Sequence, residues 1–155
     1  MSPQPRDIAR YWLAAAECGF AQPSDWQAWA DSLIMLDTEP PETWLIDLAA
    51  AATADALKTW SDHHGMSDDD CDKATLGYLW HRYRNGSLSL GACLAEVGEA
   101  ADHGHVGIEC ESFYALLNEL ESKGDSAAVA RSAHRLCSGC FEIARAQLRA
   151  LSSGT

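Results

Sequence analysis

Apolar residues recur at the spacing of an α-helix along almost the whole chain, and this periodicity constrains the fold more than any other feature. In the segment 24–36, for example, Trp26, Trp29 and Leu33 fall at i, i+3 and i+7, on one face of a helix. No segment alternates apolar and polar residues in the way that a half-buried β-strand requires. The sequence therefore predicts an all-α protein.

Glycine and proline divide the helical pattern into segments. Gly65 and Gly124 each follow an apolar stripe and are expected to end a helix, while Pro40 and Pro41 interrupt another. The long stripe over residues 44–60 is expected to break near Thr53. This punctuation predicts about six to seven helices, arranged as a bundle or as stacked helical hairpins.

The length of the chain suits one domain. A domain of 155 residues can bury ~70% of the surface that its unfolded chain exposes, so it needs neither a metal nor a disulfide to fold. We therefore predict a single all-α domain over residues 1–155, with residues 152–155 as a frayed tail. The six cysteines are spread along helical segments and are interpreted as free thiols.

The charge balance is unusual, with 23 acidic and 11 basic residues and a net charge of −12. Nucleic acids and anionic membranes require a basic surface, so neither is expected as a partner. The charge instead suits a cationic protein partner, although acidity alone also keeps proteins soluble. No apolar run approaches the ~20 residues of a membrane span, and charged residues interrupt the first 20 positions. We expect a cytoplasmic protein.

Two acidic clusters are candidates for binding such a partner. Residues 24–48 contain three tryptophans and six acidic residues but no lysine or arginine. The tryptophans fall on apolar stripes and are expected in the core, whereas most of the acids fall on the opposite faces or in the turn near the two prolines. The second cluster opens a helix that we expect Ser67 to cap. The candidate partner-binding residues are Asp37, Glu39, Glu42, Asp68, Asp69 and Asp70.

A zinc site is the alternative hypothesis. His134, Cys137 and Cys140 occupy positions i, i+3 and i+6, which lie along one side of a helix. A structural zinc ion needs four ligands, and His103, His105 and Cys110 are the residues that could supply the remainder. Cys140 lies on the apolar stripe and Cys137 beside it, which favours core packing for both thiols. The zinc hypothesis uses His103, His105, His134, Cys137 and Cys140 in a metal-binding helical enzyme or module.

Catalytic signatures are missing from the sequence. It contains neither a nucleophile elbow nor a glycine-rich nucleotide-binding motif. We therefore predict a non-enzymatic protein, with no catalytic residues, no cofactor-binding residues and no cofactor. A structural helical domain within a larger assembly is a further alternative.

The pattern W-A-D-S-L-I, followed by an acidic turn with prolines and then W-L-I-D-L, resembles small helical immunity-type proteins of bacterial polymorphic toxin systems. The resemblance covers residues 8–57. It implies a protein that binds a cognate toxin through an acidic surface and has no enzymatic activity. The charge agrees with it independently, because a nuclease toxin needs a cationic surface to bind phosphate.

Overall fold

A computed structural model of the chain describes residues 3–36, 38–104 and 106–153. These residues form eight α-helices and no strand, so the predicted all-α class is confirmed. In chain order the helices are α1 (Pro5–Glu17), α2 (Pro23–Leu36), α3 (Thr43–Ala50), α4 (Ala54–His64), α5 (Asp69–Arg84), α6 (Leu90–His103), α7 (Cys110–Lys123) and α8 (Ser126–Ser153).

The number of helices exceeds the predicted six to seven because the stripe over residues 44–60 forms two of them. Helix α3 ends before Ala51, and the hydroxyl of Thr53 accepts a hydrogen bond of 3.0 Å from the amide of Ala56 at the start of α4. A threonine N-cap of this kind satisfies an amide that has no partner within the helix. The break that the sequence predicts near Thr53 is therefore a complete helix boundary.

Local chemistry sets the end of α4, the end of α7 and the start of α5. Gly65 and Gly124 end α4 and α7 with φ angles of 63° and 70°, in the left-handed region that favours glycine. The prediction that Ser67 caps α5 is wrong. The carboxylate of Asp68 accepts the amide hydrogen bond of Cys71 at 2.9 Å, because it lies one residue closer to the helix, which begins at Asp69.

The chain divides into two compact units, and both α5 and α8 contain a boundary. The first unit comprises Met1–Cys71 and Gln147–Thr155, and the second comprises Asp72–Ala146. The predicted single domain stays a prediction. Helix α8 extends through Ser153, and so includes part of the predicted frayed tail, while residues 154 and 155 lie outside the described residues.

The core of the first unit is built around tryptophans. In addition to packing, the indole of Trp26 donates a hydrogen bond of 2.8 Å to the carbonyl of Ala51, and the indole of Trp60 donates one of 2.8 Å to the carbonyl of Trp44. These four residues are all buried. Each indole therefore fills the core and satisfies a backbone carbonyl near an end of α3.

The second unit depends on two close helix contacts at glycines. At Gly98 in α6, an added Cβ would lie 2.7 Å from the ring of Tyr114 in α7. At Gly77 in α5, an added Cβ would lie 2.6 Å from the carbonyl carbon of Cys140 and 2.8 Å from the Cβ of Ala144, both in α8. Glycine thus allows α5 and α8 to approach until backbone contacts backbone.

Candidate functional site

Two large apolar side chains project from the end of α2. Met35 is 85% exposed and Leu36 is 81% exposed, and we refer to these two residues as the α2 ridge. Residues 33–36 are all apolar, and successive helical residues turn by about 100°, so four in a row cannot all face the core. The four consecutive apolar residues are therefore the sequence signal for the ridge. The sequence prediction for α2 considered only its buried stripe and did not include the ridge.

The α2 ridge lies beside two surface grooves of the first unit, and Leu36 lines both. One groove, of about 420 Å³, also contains Pro40, Trp44 and Leu45 and runs between α2 and α3. We call it the α2–α3 groove. The other, of about 630 Å³, contains Trp12 of α1 and the last turns of α8. The α2 ridge is therefore an exposed apolar feature beside two depressions of the surface.

Acidic residues form the rim of the α2–α3 groove. Glu39 and Glu42 both line the groove and are exposed. The carboxylate of Glu42 accepts a hydrogen bond of 2.7 Å from the indole of Trp44, whose ring lies 5.7 Å from the guanidinium of Arg6. Glu42 is therefore held in a defined position at the rim. The third predicted residue of this cluster, Asp37, lies outside the described residues.

The second predicted cluster forms a different surface of the first unit. Asp68, Asp69 and Asp70 are all exposed at the start of α5. Burial raises the pKa of Tyr11 in α1, and the charges of Asp7, Asp68 and Asp70 raise it further. The cluster thus lies beside Tyr11. It contains no exposed large apolar side chain, whereas the α2–α3 groove adjoins the α2 ridge.

The two cysteines of the zinc hypothesis are core residues. Cys137 is fully buried and Cys140 is 5% exposed, and burial raises the pKa of both thiols. The Nδ1 atom of His134 accepts a hydrogen bond of 3.2 Å from the indole of Trp80. Burial and a raised pKa both disfavour the thiolate that zinc binds.

The other two histidines of the zinc hypothesis do not complete a metal site among the described residues. His103 is exposed at the end of α6, and His105 lies outside the described residues. Among residues 3–36, 38–104 and 106–153, no three or more His, Cys, Asp or Glu side chains are grouped to hold a metal ion. The zinc hypothesis stays a prediction.

No helix in the described part of the chain has the length and apolar character needed to cross a membrane. No protein-family model, no curated protein and no solved structure matches the chain. The resemblance to immunity-type proteins therefore stays a prediction. The function has to be inferred from the α2 ridge and its surroundings.

Proposed function

We propose that this protein is a non-enzymatic binding module that recognises a cationic protein through the α2 ridge and its acidic rim. The observation that carries the proposal is the exposure of Met35 and Leu36, side by side and next to two grooves. Isolated exposed apolar residues are common, but adjacent ones bordered by polar groups are typical of protein interfaces. The ridge supplies the anchor, and the rim supplies specificity.

The distribution of charge favours a cationic partner. The first unit contains 13 acidic and four basic residues, a net charge of −9, whereas the second contains ten acidic and seven basic residues, a net charge of −3. The ridge is therefore part of the more acidic unit. An acidic surface of this kind accelerates association with a cationic protein and makes the rate depend on ionic strength.

The resemblance suggests a more specific form of the same proposal. The partner would be a cationic bacterial toxin, and the chain would neutralise it in the cytoplasm by occupying the surface that the toxin uses for its own substrate. A nuclease toxin fits best, because its substrate is a polyanion that an acidic surface can replace. Of the predicted contacts, Glu39 and Glu42 suit this role best, since they border the apolar anchor.

Charge reversal at the rim tests the proposal. The purified chain is titrated with each protein encoded next to it in its genome, and the complex is then measured with the Glu39→Lys variant. We expect the association rate to fall at least about tenfold at low salt and the difference to shrink as salt increases. At position 42 the variant is Glu42→Gln, not a lysine substitution. Glutamine removes the charge but keeps an oxygen that can accept the hydrogen bond from the indole of Trp44.

The matched control is Glu121→Lys, which makes the same charge change at an exposed position of α7 in the second unit. Its effect on the association rate should be much smaller. Equal effects of the two variants would show that only net charge matters and would reject the rim. If no neighbouring gene product binds but another cationic protein does, the proposal that the partner is a toxin fails. The proposal that the chain binds a cationic protein through the ridge and rim then still stands.

A further inference from the structure

The second unit contains a groove of about 600 Å³ whose lining contrasts with the acidity of the chain. Three of its residues come from the last turns of α5 and four from α8. Apart from Ala130, they lie at i, i+3 and i+4 within each helix, on one face. We call this cavity the arginine groove, and it is lined by Trp80, Tyr83 and Arg84 of α5 and by Ala130, Arg131, His134 and Arg135 of α8.

None of the three arginines has an acidic partner among the residues that the structure describes. All three are exposed, and no carboxylate of the described residues lies within 4.0 Å of Arg84, Arg131 or Arg135, although acidic residues outnumber basic ones by 23 to 11. Arg84 lies in the last turn of α5, where the helix dipole favours a positive charge. The dipole does not explain the positions of Arg131 and Arg135. Arg131 and Arg135 lie in the first half of α8 and repel each other at i, i+4, at a cost to the stability of the helix. An anion in the groove would reverse that cost.

The aromatic residues of the groove add a donor and an apolar wall. The rings of Trp80 and Tyr83 lie 4.8 Å apart between centroids. The indole of Trp80 donates to Nδ1 of His134, and since an indole nitrogen can only donate, Nδ1 must be unprotonated. The proton of the neutral imidazole is therefore on Nε2. His134 thus has Nε2 as its hydrogen-bond donor, and it lines a groove that also contains three guanidinium groups.

We propose that the arginine groove binds a small organic phosphate. The phosphate would be held by the three guanidinium groups and His134, and the organic part would lie against Tyr83. Guanidinium forks match phosphate oxygens, and three of them suit a dianion better than the single charge of a carboxylate. The volume lies within the ~300–1,000 Å³ range of small-molecule sites. The proposal does not depend on protein binding by the first unit.

Isothermal titration calorimetry of the full chain tests this with three probes: phenyl phosphate, inorganic phosphate and phenol. We expect phenyl phosphate to bind with one-to-one stoichiometry, inorganic phosphate to bind more weakly, and phenol not to bind. The Arg131→Gln and Arg135→Gln variants should each weaken phenyl phosphate binding by at least about tenfold. Tyr83→Ala should weaken phenyl phosphate binding but leave inorganic phosphate binding unchanged.

The matched control is Arg149→Gln, which removes an exposed arginine of α8 outside the groove. Its affinity for phenyl phosphate should equal that of the natural chain. An equal loss in this control, or the absence of phosphate binding by the natural chain, would overturn the proposal. A third result would also overturn it: the natural chain binds no phosphate but self-associates, and Arg131→Gln abolishes the self-association. The acidic surface of a second copy would then occupy the groove.

Discussion

The close crossing of α5 and α8 predicts a large effect from the smallest possible substitution, Gly77→Ala. The added Cβ would lie 2.6 Å from the carbonyl carbon of Cys140 and 2.8 Å from the Cβ of Ala144, whereas carbon atoms pack at about 3.5–4.0 Å. The two helices would have to separate by about 1 Å, because the obstacle is helix backbone and cannot rotate away. Overpacking of this kind costs about 1–3 kcal/mol.

Part of that cost is offset, since alanine favours a helix over glycine by about 0.8–1.0 kcal/mol. With the overpacking cost near its upper end, the free energy of unfolding should fall by about 2 kcal/mol. For a chain of this size each kcal/mol corresponds to about 2–4 °C, so the midpoint of thermal unfolding should fall by about 4–8 °C. Circular dichroism at 222 nm, the wavelength of the helical signal, measures it directly.

Gly139→Ala is the matched control, with the same substitution in the same unit. Gly139 is exposed in α8, and nothing lies within 4 Å of the position of its Cβ. Only the helix propensity changes there, so this variant should be about 0.5–1 kcal/mol more stable than the natural chain. If Gly77→Ala were also more stable than the natural chain, α5 and α8 could not cross as described.

Three further predictions concern buried groups. Trp26→Phe leaves the buried carbonyl of Ala51 without its hydrogen-bond donor, so the free energy of unfolding measured in urea should fall by about 1–3 kcal/mol. A fall below about 0.5 kcal/mol would contradict the hydrogen bond. Cys110 is half-buried while the other five thiols are buried, so mass spectrometry should find it alkylated first. Burial, followed by its hydrogen bond to the carboxylate of Glu111, raises the pKa of Cys110, so its alkylation rate should still be rising with pH at about pH 9; a rate that has levelled off by then would contradict the raised pKa. Burial raises the pKa of Cys93 to about 12 and also raises that of Cys137. Unfolding therefore releases protons above pH 9, so the free energy of unfolding should fall between pH 9 and 12. It should fall less steeply with pH in Cys93→Ala than in the natural chain, and equal slopes in the two would exclude the burial of Cys93 as the cause.

The helices were predictable from the sequence because their signals are local. An apolar stripe, a glycine such as Gly65 and a break near Thr53 each act within a few residues, and the structure confirms these boundaries. The cap of α5 was mispredicted as Ser67 because Ser67 and Asp68 both have suitable side chains, and only the register of the helix selects one. Instead, the hydroxyl of Ser67 lies 2.9 Å from that of Ser61.

Contacts between helices were not predictable in the same way. The crossing at Gly77 depends on Cys140, which is distant in the sequence, and no local pattern identifies such a partner. The candidate site shows both cases. Glu39 and Glu42 line one groove because both belong to the short connection with two prolines between α2 and α3, which the sequence indicates. The arginine groove joins residues of α5 and α8, and only the fold brings these together.

The affinity of the Met35→Ser/Leu36→Ser variant tests most directly whether the α2 ridge anchors a cationic protein. Both side chains are more than four-fifths exposed, so thermal stability should stay within about 0.5 kcal/mol of the natural chain. Calorimetric titration with the cognate partner should show an affinity at least about 30-fold weaker, as for the loss of an interface hot spot. An unchanged affinity in a variant of unchanged stability would contradict the claim.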